Sequence, residues 1–171
     1  KYIGGGEESF GYLPGDYVRD KDGVSAITLV AEAAAWARET MGITLYEWLQ
    51  QLYVKYGFFR EGLVNVVRKG KDGAAEIQQM MVDYRANPPK SLLGSEVVKI
   101  LDYKTLEELD VRTGERKPIE GIDDKSNVLQ WLTEDGTKVS VRPSGTEPKI
   151  KFYFGVKAPL CCVEQFEKVE A

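Results

Sequence analysis

The segment VRPSGTEPKIKF, residues 141–152, concentrates side chains that could hold an anion. The guanidinium of an arginine fits two phosphate oxygens at once, and hydroxyls and an ammonium add donors; the candidates are Arg142, Ser144, Thr146 and Lys149. Gly145 and the successive N–H groups of the loop would let an anion approach the backbone closely. However, Pro143, Gly145 and Pro148 are equally typical of a tight turn between two strands. The local chemistry therefore leaves two interpretations open, a phosphate-binding loop and a plain turn.

A second candidate site is the segment GGGEESFGYL, residues 4–13, in which three glycines run into Glu7, Glu8 and Ser9. Glycines before a helix often bind phosphate, but two carboxylates would repel one. Carboxylates on a loop suit neutral hydroxyl donors instead, such as those of a sugar. A solvated acidic surface loop explains the same residues, so this segment also leaves two interpretations open.

A third segment, VRDKDGV at residues 18–24, combines cations with the start of a helix. Asp22 has the residue type and position of a helix N-cap, which accounts for it without any ligand. Lys21 could instead reach toward an anion in a cleft. The segment is compatible with a capped helix carrying surface charge or with a ligand contact.

Composition excludes several classes of function. The chain has 171 residues, a formal net charge of -4 and no histidine. The negative charge argues against a nucleic-acid partner, no apolar run is long enough to cross a membrane, and His-based triads and zinc motifs are ruled out.

The two cysteines, Cys161 and Cys162, are adjacent, which favours a reducing compartment, and we expect a cytoplasmic location. Because the chain opens on Lys1 rather than Met, we expect it to be part of a longer protein.

The first third of the chain predicts one strand and two helices. An apolar strand opens the chain and leads into the glycine-rich loop. Residues 22–42 predict a helix that is apolar on two faces, and hence buried among neighbours, ending at Gly42. Residues 44–57 predict a second helix, with a capping box between Thr44 and Glu47 and a stop at Gly57. These elements are too few to close a core alone.

From about Phe58 onward the pattern predicts an α+β layer, an antiparallel sheet with helices on one face. It contains a strand near residues 63–69, a helix over 73–89 and a strand over 96–103, followed by a polar loop over 111–127. A hairpin over 128–141 turns at Asp135-Gly136, and the strand 149–156 alternates with Ile150, Phe152 and Phe154 inward. A short helix carrying Cys162, Phe166 and Val169 closes the chain.

The motifs GEESFGY, VRDKDGV and VRPSGTEPKIKFYF, in this order, resemble the C-terminal part of the α-D-phosphohexomutase family, on its phosphoglucomutase/phosphomannomutase branch. The resemblance implies an α/β plus α+β fold: residues 1–57 would be the end of domain three, and residues 58–171 domain four, which is similar to the TATA-box-binding-protein fold. It implies sugar contacts from Glu7, Ser9 and Lys21. It also implies phosphate contacts from Arg142, Ser144, Gly145, Thr146 and Lys149.

The resemblance further implies a reaction. Family members interconvert hexose 1-phosphate and hexose 6-phosphate, such as those of glucose or mannose, through a phosphoserine, a bisphosphate intermediate and Mg²⁺. This sequence lacks a Thr-Ala-Ser-His-Asn-Pro-like nucleophile loop and an Asp-x-Asp-x-Asp metal motif. We therefore expect the catalytic serine and the Mg²⁺ ligands in N-terminal domains outside this chain, and no turnover by the chain alone. The sugar is left open, as is the alternative of a stand-alone, non-catalytic phosphosugar-binding module.

Overall fold

The computed structural model describes residues 2–6, 11–16, 20–70, 72–145 and 147–170. They form two compact units, Lys1–Tyr56 with Leu160–Lys168, and Gly57–Pro159 with Val169–Ala171. The main division falls beside the predicted boundary at Gly57. Leu160–Lys168, however, groups with the first unit rather than with the predicted C-terminal domain. The assignment of these units to family domains stays a prediction.

The first unit contains helices and one short hairpin. Its elements are β1 (Gly5–Gly6), β2 (Tyr12–Leu13), α1 (Gly23–Met41) and α2 (Leu45–Tyr56). A 3-10 helix (Val163–Gln165), which follows the second unit in the sequence, also belongs to the first unit. Strands β1 and β2 pair antiparallel. The predicted opening strand is wrong for its described residues, since Tyr2 and Ile3 are in no strand and Ile3 is exposed.

The predicted ends of both helices are confirmed. The Asp22 carboxylate accepts hydrogen bonds from the N–H groups of Val24 and Ser25, at 2.8 and 2.9 Å, which satisfies two donors that the helix leaves open. Gly42 ends α1 in the left-handed conformation, with φ 71°, and donates its N–H to the Arg38 carbonyl. The predicted capping box of α2, between Thr44 and Glu47, forms as well.

The predicted burial of α1 on two faces is wrong. Ile27 and Val30 are 73% and 55% exposed, and among the described residues of this helix only Ala37 is buried. One side of α1 packs on α2, where the rings of Trp36 and Trp48 lie 5.2 Å apart. The opposite apolar side has no covering layer among the described residues of this unit.

The second unit is an antiparallel sheet covered on one face by a helix, as predicted. Its strands are β3 (Phe58–Val67), β4 (Ser91–Leu92), β5 (Ser95–Asp102), β6 (Glu107–Asp110), β7 (Arg116–Pro118), β8 (Leu129–Thr133), β9 (Lys138–Pro143) and β10 (Lys149–Ala158). The helix that covers the sheet is α3 (Gly73–Ala86). The last helix of the chain, α4 (Phe166–Glu170), belongs mostly to the first unit. The strand order is β3-β10-β9-β8-β5-β6-β7, with β4 against β5. Strands that are distant in sequence, such as β3 and β10, are therefore neighbours in the sheet.

The core lies between α3 and one face of this sheet. Ile77 and Met81 of α3 pack with buried residues of the four strands β5, β8, β9 and β10, which are Val97, Leu129, Trp131, Val139, Val141 and Ile150. Phe152 and Phe154 pack against this cluster, which confirms the predicted inward set on β10. The sequence prediction missed β4, β6 and β7, because strands of only two to four residues carry little periodic signal. Strand β7 lies inside the segment that was predicted as a loop.

Candidate functional site

The loop between β9 and β10 is a tight turn that is closed by its own hydrogen bonds. The Ser144 N–H donates to the Lys149 carbonyl at 2.9 Å, and the Lys149 N–H donates to the Glu147 carbonyl at 2.7 Å. The Glu147 N–H donates to the Ser144 hydroxyl oxygen at 3.3 Å. The turn interpretation is therefore correct as a description of the backbone, whatever the side chains bind.

These bonds correct one expectation about the loop. Successive loop N–H groups were expected to face an anion, but those of Ser144, Glu147 and Lys149 are directed at acceptors within the loop. In this conformation of the loop, these three N–H groups are directed at acceptors of the chain and not at a ligand.

The ends of the loop are anchored in the sheet. Pro143 closes β9 and is buried, and Ile150, its partner on β10, has no exposed surface. Arg142 directly precedes Pro143 on β9 and is paired with Lys151 on β10. Because adjacent residues of a strand point to opposite faces, burial of Pro143 and Ile150 directs Arg142, Lys149 and Lys151 away from the core.

The outward side chains line a pocket of about 440 Å³. Its lining consists of Arg142, Pro143, Ser144, Gly145, Glu147, Lys149, Lys151 and Tyr153. Arg142 is exposed and the Lys149 side chain is 26% exposed, so both cations reach solvent at the pocket. Three cations face one carboxylate, which makes the pocket suited to a small anion.

Besides Pro143, which the sequence assigned to the turn, three lining residues were not among the predicted site residues: Glu147, Lys151 and Tyr153. A usable signal existed for the last two, because the alternation of β10 places them on the same face as Lys149. The Lys151 ammonium also lies 5.9 Å from the centre of the Tyr153 ring, within cation–π range.

Glu147 and Lys149 form an ion pair inside this pocket. The hydrogen bond from Lys149 and its positive charge lower the pKa of the Glu147 carboxyl, and Lys151 adds a smaller effect in the same direction. The carboxylate therefore stays charged beside the cations that an incoming anion would use.

Of the predicted sugar-binding residues, the structure describes Lys21. Lys21 is in the first unit, immediately before the N-cap Asp22, and its ammonium lies 3.7 Å from an Asp20 carboxylate oxygen. Glu7, Ser9 and Thr146 fall outside the described residues. The structure thus brings together Arg142, Ser144, Gly145 and Lys149 in one pocket, while Lys21 belongs to the other unit.

Metal binding has no candidate site within the described part of the chain. No group of three or more His, Cys, Asp or Glu side chains there could hold a metal ion. The described residues therefore offer no set of ligands that fits Mg²⁺. No helix over the same residues is long and apolar enough to span a membrane.

Comparison with known proteins covers both units. Residues 63–160 match the family model described as phosphoglucomutase/phosphomannomutase, C-terminal domain, and residues 1–56 match the alpha/beta/alpha domain III of the same family. A phosphoglucomutase of Staphylococcus aureus strain MRSA252 is 37% identical over 153 residues, which is 90% of this chain and 27% of that protein. The phosphoglucomutase of strain MSSA476 is 36% identical over 151 residues, which is 88% of this chain and 27% of that protein.

A solved structure agrees with the fold. The open form of pp63/parafusin, an exocytosis-sensitive phosphoprotein and phosphoglucomutase from Paramecium, aligns with a TM-score of 0.53 at 15% identity, over 98% of this chain and 29% of its own. At that identity the likeness concerns the fold alone. The chain spans about a quarter of the length of the curated relatives it matches. With both domain models matched in order, the chain belongs to the phosphoglucomutase/phosphomannomutase family.

Proposed function

We propose that this chain supplies sugar and phosphate recognition to a phosphohexomutase. The whole protein would interconvert a hexose 1-phosphate and a hexose 6-phosphate through a phosphoserine and a bisphosphate intermediate. The observation that carries the proposal is the pocket on the β9–β10 loop, where Arg142, Ser144 and Lys149 meet within the span matched by the family's C-terminal domain. A plain turn accounts for the backbone there, but not for the cations gathered over it.

Each residue of the pocket has a role that its chemistry allows. The Arg142 guanidinium would bind two phosphate oxygens, and the Lys149 ammonium would add charge at a second side. Ser144 and Thr146 would contribute hydroxyls, and Gly145 would keep the approach open. Held on a rigid sheet, these groups would grip the phosphate that is not being transferred, which positions the sugar for reaction.

The sugar itself would be bound by residues of the first unit. We propose that Glu7 and Ser9 contact hydroxyls, that Lys21 faces the substrate, and that residues 1–57 and 58–171 correspond to domains three and four. The phosphoserine and the Mg²⁺ ligands would come from N-terminal domains of the same protein, outside this chain, with Mg²⁺ offsetting charge during transfer. On this proposal the isolated chain binds substrate weakly and does not turn it over, and the whole protein is a cytoplasmic isomerase.

Titration of the full chain with glucose 6-phosphate, followed by amide NMR, tests the proposal. Resonances of Ser144 to Thr146 should shift with saturation, and Arg142→Ala should remove the shift. Arg116→Ala is the matched control, because Arg116 is an exposed arginine on β7, an edge strand of the same sheet that lies four places from β9. If the chain is folded and the loop resonances do not shift when glucose 6-phosphate is added, the loop is only a turn and the proposal is wrong.

The expectation of inactivity has its own test. Glucose 1-phosphate should remain unconverted by the isolated chain, and measurable mutase turnover would contradict the proposed division of labour. In the full-length protein, Arg142→Ala should raise KM and lower kcat, because the phosphate grip acts in both the bound state and the transition state.

A further inference from the structure

The pocket contains one group that opposes the anion it is proposed to bind, the carboxylate of Glu147. Glu147 lines the pocket together with Arg142, Lys149 and Lys151, and it is ion-paired with Lys149. A phosphate that reached the Lys149 ammonium would have to share it with this carboxylate or displace it. Sharing would place two negatively charged groups within a few ångströms of each other, and displacement would break the ion pair with Lys149, so either arrangement weakens binding.

The geometry allows the carboxylate to move aside. The backbone of Glu147 is held at both polar groups, since its N–H donates to the Ser144 hydroxyl and its carbonyl accepts from the Lys149 N–H. The side chain is 60% exposed. A fixed backbone with an exposed side chain lets the carboxylate rotate into solvent without opening the loop.

We propose that Glu147 is an internal counter-anion, which holds Lys149 in the empty loop, gives way when phosphate binds, and thereby keeps the grip on phosphate weak. This inference rests on the proposed phosphate-binding role of the loop. A weak grip suits a site that must release one phosphate of a sugar bisphosphate before taking hold of the other. Glu147 would then be a residue that sets the phosphate affinity and exit rate rather than one that merely shapes the turn.

Glu147→Gln in the full chain tests the idea, with inorganic phosphate as the probe. The variant should bind phosphate roughly two- to fivefold more tightly, the range expected for removing one exposed ion-pair competitor, and NMR line shapes should show slower release. Glu120→Gln is the control, because Glu120 is an exposed carboxylate on the segment between β7 and β8 and its loss changes net charge equally. A structural role predicts the opposite sign: loss of Glu147 would then loosen the loop and weaken binding.

A second measurement uses the unaltered chain. The side-chain carboxyl of Glu147, followed by ¹³C NMR, should titrate at a higher pH when the chain is saturated with phosphate than when it is free. On displacement the carboxylate loses the Lys149 hydrogen bond and charge, which are the main causes that lower its pKa in the free loop, and it gains a neighbouring anion. The other groups that line the pocket, Arg142, Lys151 and Tyr153, are the same in both states. An unchanged titration in saturated protein, or unchanged or weaker phosphate binding by Glu147→Gln, would overturn the counter-anion role and leave the proposed function standing. Failure of both the unaltered chain and the variant to bind phosphate would overturn both.

Discussion

Arg142 and Lys151 lie directly opposite each other on the antiparallel strands β9 and β10. Opposed residues share one face of a sheet, and like charges in this position cost stability unless other groups offset them. Both side chains line the same pocket as Lys149. The strand register therefore brings together two cations, beside the loop, that are nine residues apart in the sequence.

We predict that Lys151→Gln weakens phosphate binding by roughly two- to tenfold, because it removes one cation from the pocket. The free energy of unfolding should change by no more than about 0.5 kcal/mol, since the residue lies on the outward face. Phosphate titrations at two salt concentrations, with urea unfolding alongside, measure both quantities. Lys125→Gln, in the exposed segment between β7 and β8, controls for net charge, and equal effects from the two variants would contradict a local role.

Gly145→Ala should separate binding from folding. Apart from its two chain neighbours, a methyl group at Gly145 would meet no heavy atom of the described residues within 4 Å, and Gly145 is not among the glycines with positive φ, so we expect unchanged thermal stability. If the backbone at Gly145 approaches the bound phosphate, the added methyl group should weaken phosphate binding severalfold, in the manner of a steric block. Calorimetry of unfolding and of phosphate binding on the same variant provides the measurement. Loss of stability, or binding equal to that of the unaltered chain, would show that the glycine serves the turn alone.

Asp135 should contribute to stability in a defined pH window. Hydrogen bonds from the Thr133 hydroxyl and then from the Thr137 N–H lower the pKa of the Asp135 carboxyl from 3.8 to about 2. Because the folded state favours the charged form, the stabilisation is present above the ordinary pKa and disappears as the pH falls through about 2. Asp135→Asn should therefore be less stable than the unaltered chain at pH 6, with the difference shrinking below about pH 4.

Urea midpoints at several pH values measure this dependence. Asp124→Asn is the matched control, since Asp124 is exposed in the segment between β7 and β8. A stability difference between Asp135→Asn and the unaltered chain that is constant from pH 6 to pH 2 would refute the assignment to the carboxylate charge.

Phe166 should stabilise the first unit. Its side chain is 2% exposed and contacts the rings of Tyr46 and Tyr53 of α2, with ring centres 5.9 and 6.0 Å away. Phe166→Ala should lower the free energy of unfolding by about 3–5 kcal/mol, as truncation of other buried Phe side chains does. It should also speed hydrogen exchange of the α2 amides. Phe166→Leu should have an intermediate effect, and Val163→Ala, at a more exposed site, only a small one. Unaltered exchange in α2 after Phe166→Ala would contradict this packing role.

Features that depend on neighbours in the chain could be predicted from the sequence. The N-cap Asp22, the capping box of Thr44 and Glu47, and the turn at Asp135-Gly136 all formed where expected, because each is decided by backbone groups a few residues away. The alternation of β10 likewise predicted which residues face the core, since burial of one face sets the whole pattern. The ordered motifs were sufficient to indicate the family.

Features that depend on distant residues were decided by the tertiary structure. Apolar periodicity in α1 predicted burial, but burial requires a covering partner, and the described residues of its unit cover one side. Leu160–Lys168 grouped with the first unit because Phe166 found its partners on α2, more than a hundred residues earlier. The pocket shows the same limit: local sequence identified Arg142, Ser144, Gly145 and Lys149, whereas the pairing of β9 with β10 added Lys151 and Tyr153. Sequence determined the chemistry available at the loop, and strand pairing decided which charges meet there, because side-chain proximity across a sheet is set by register and not by distance along the chain.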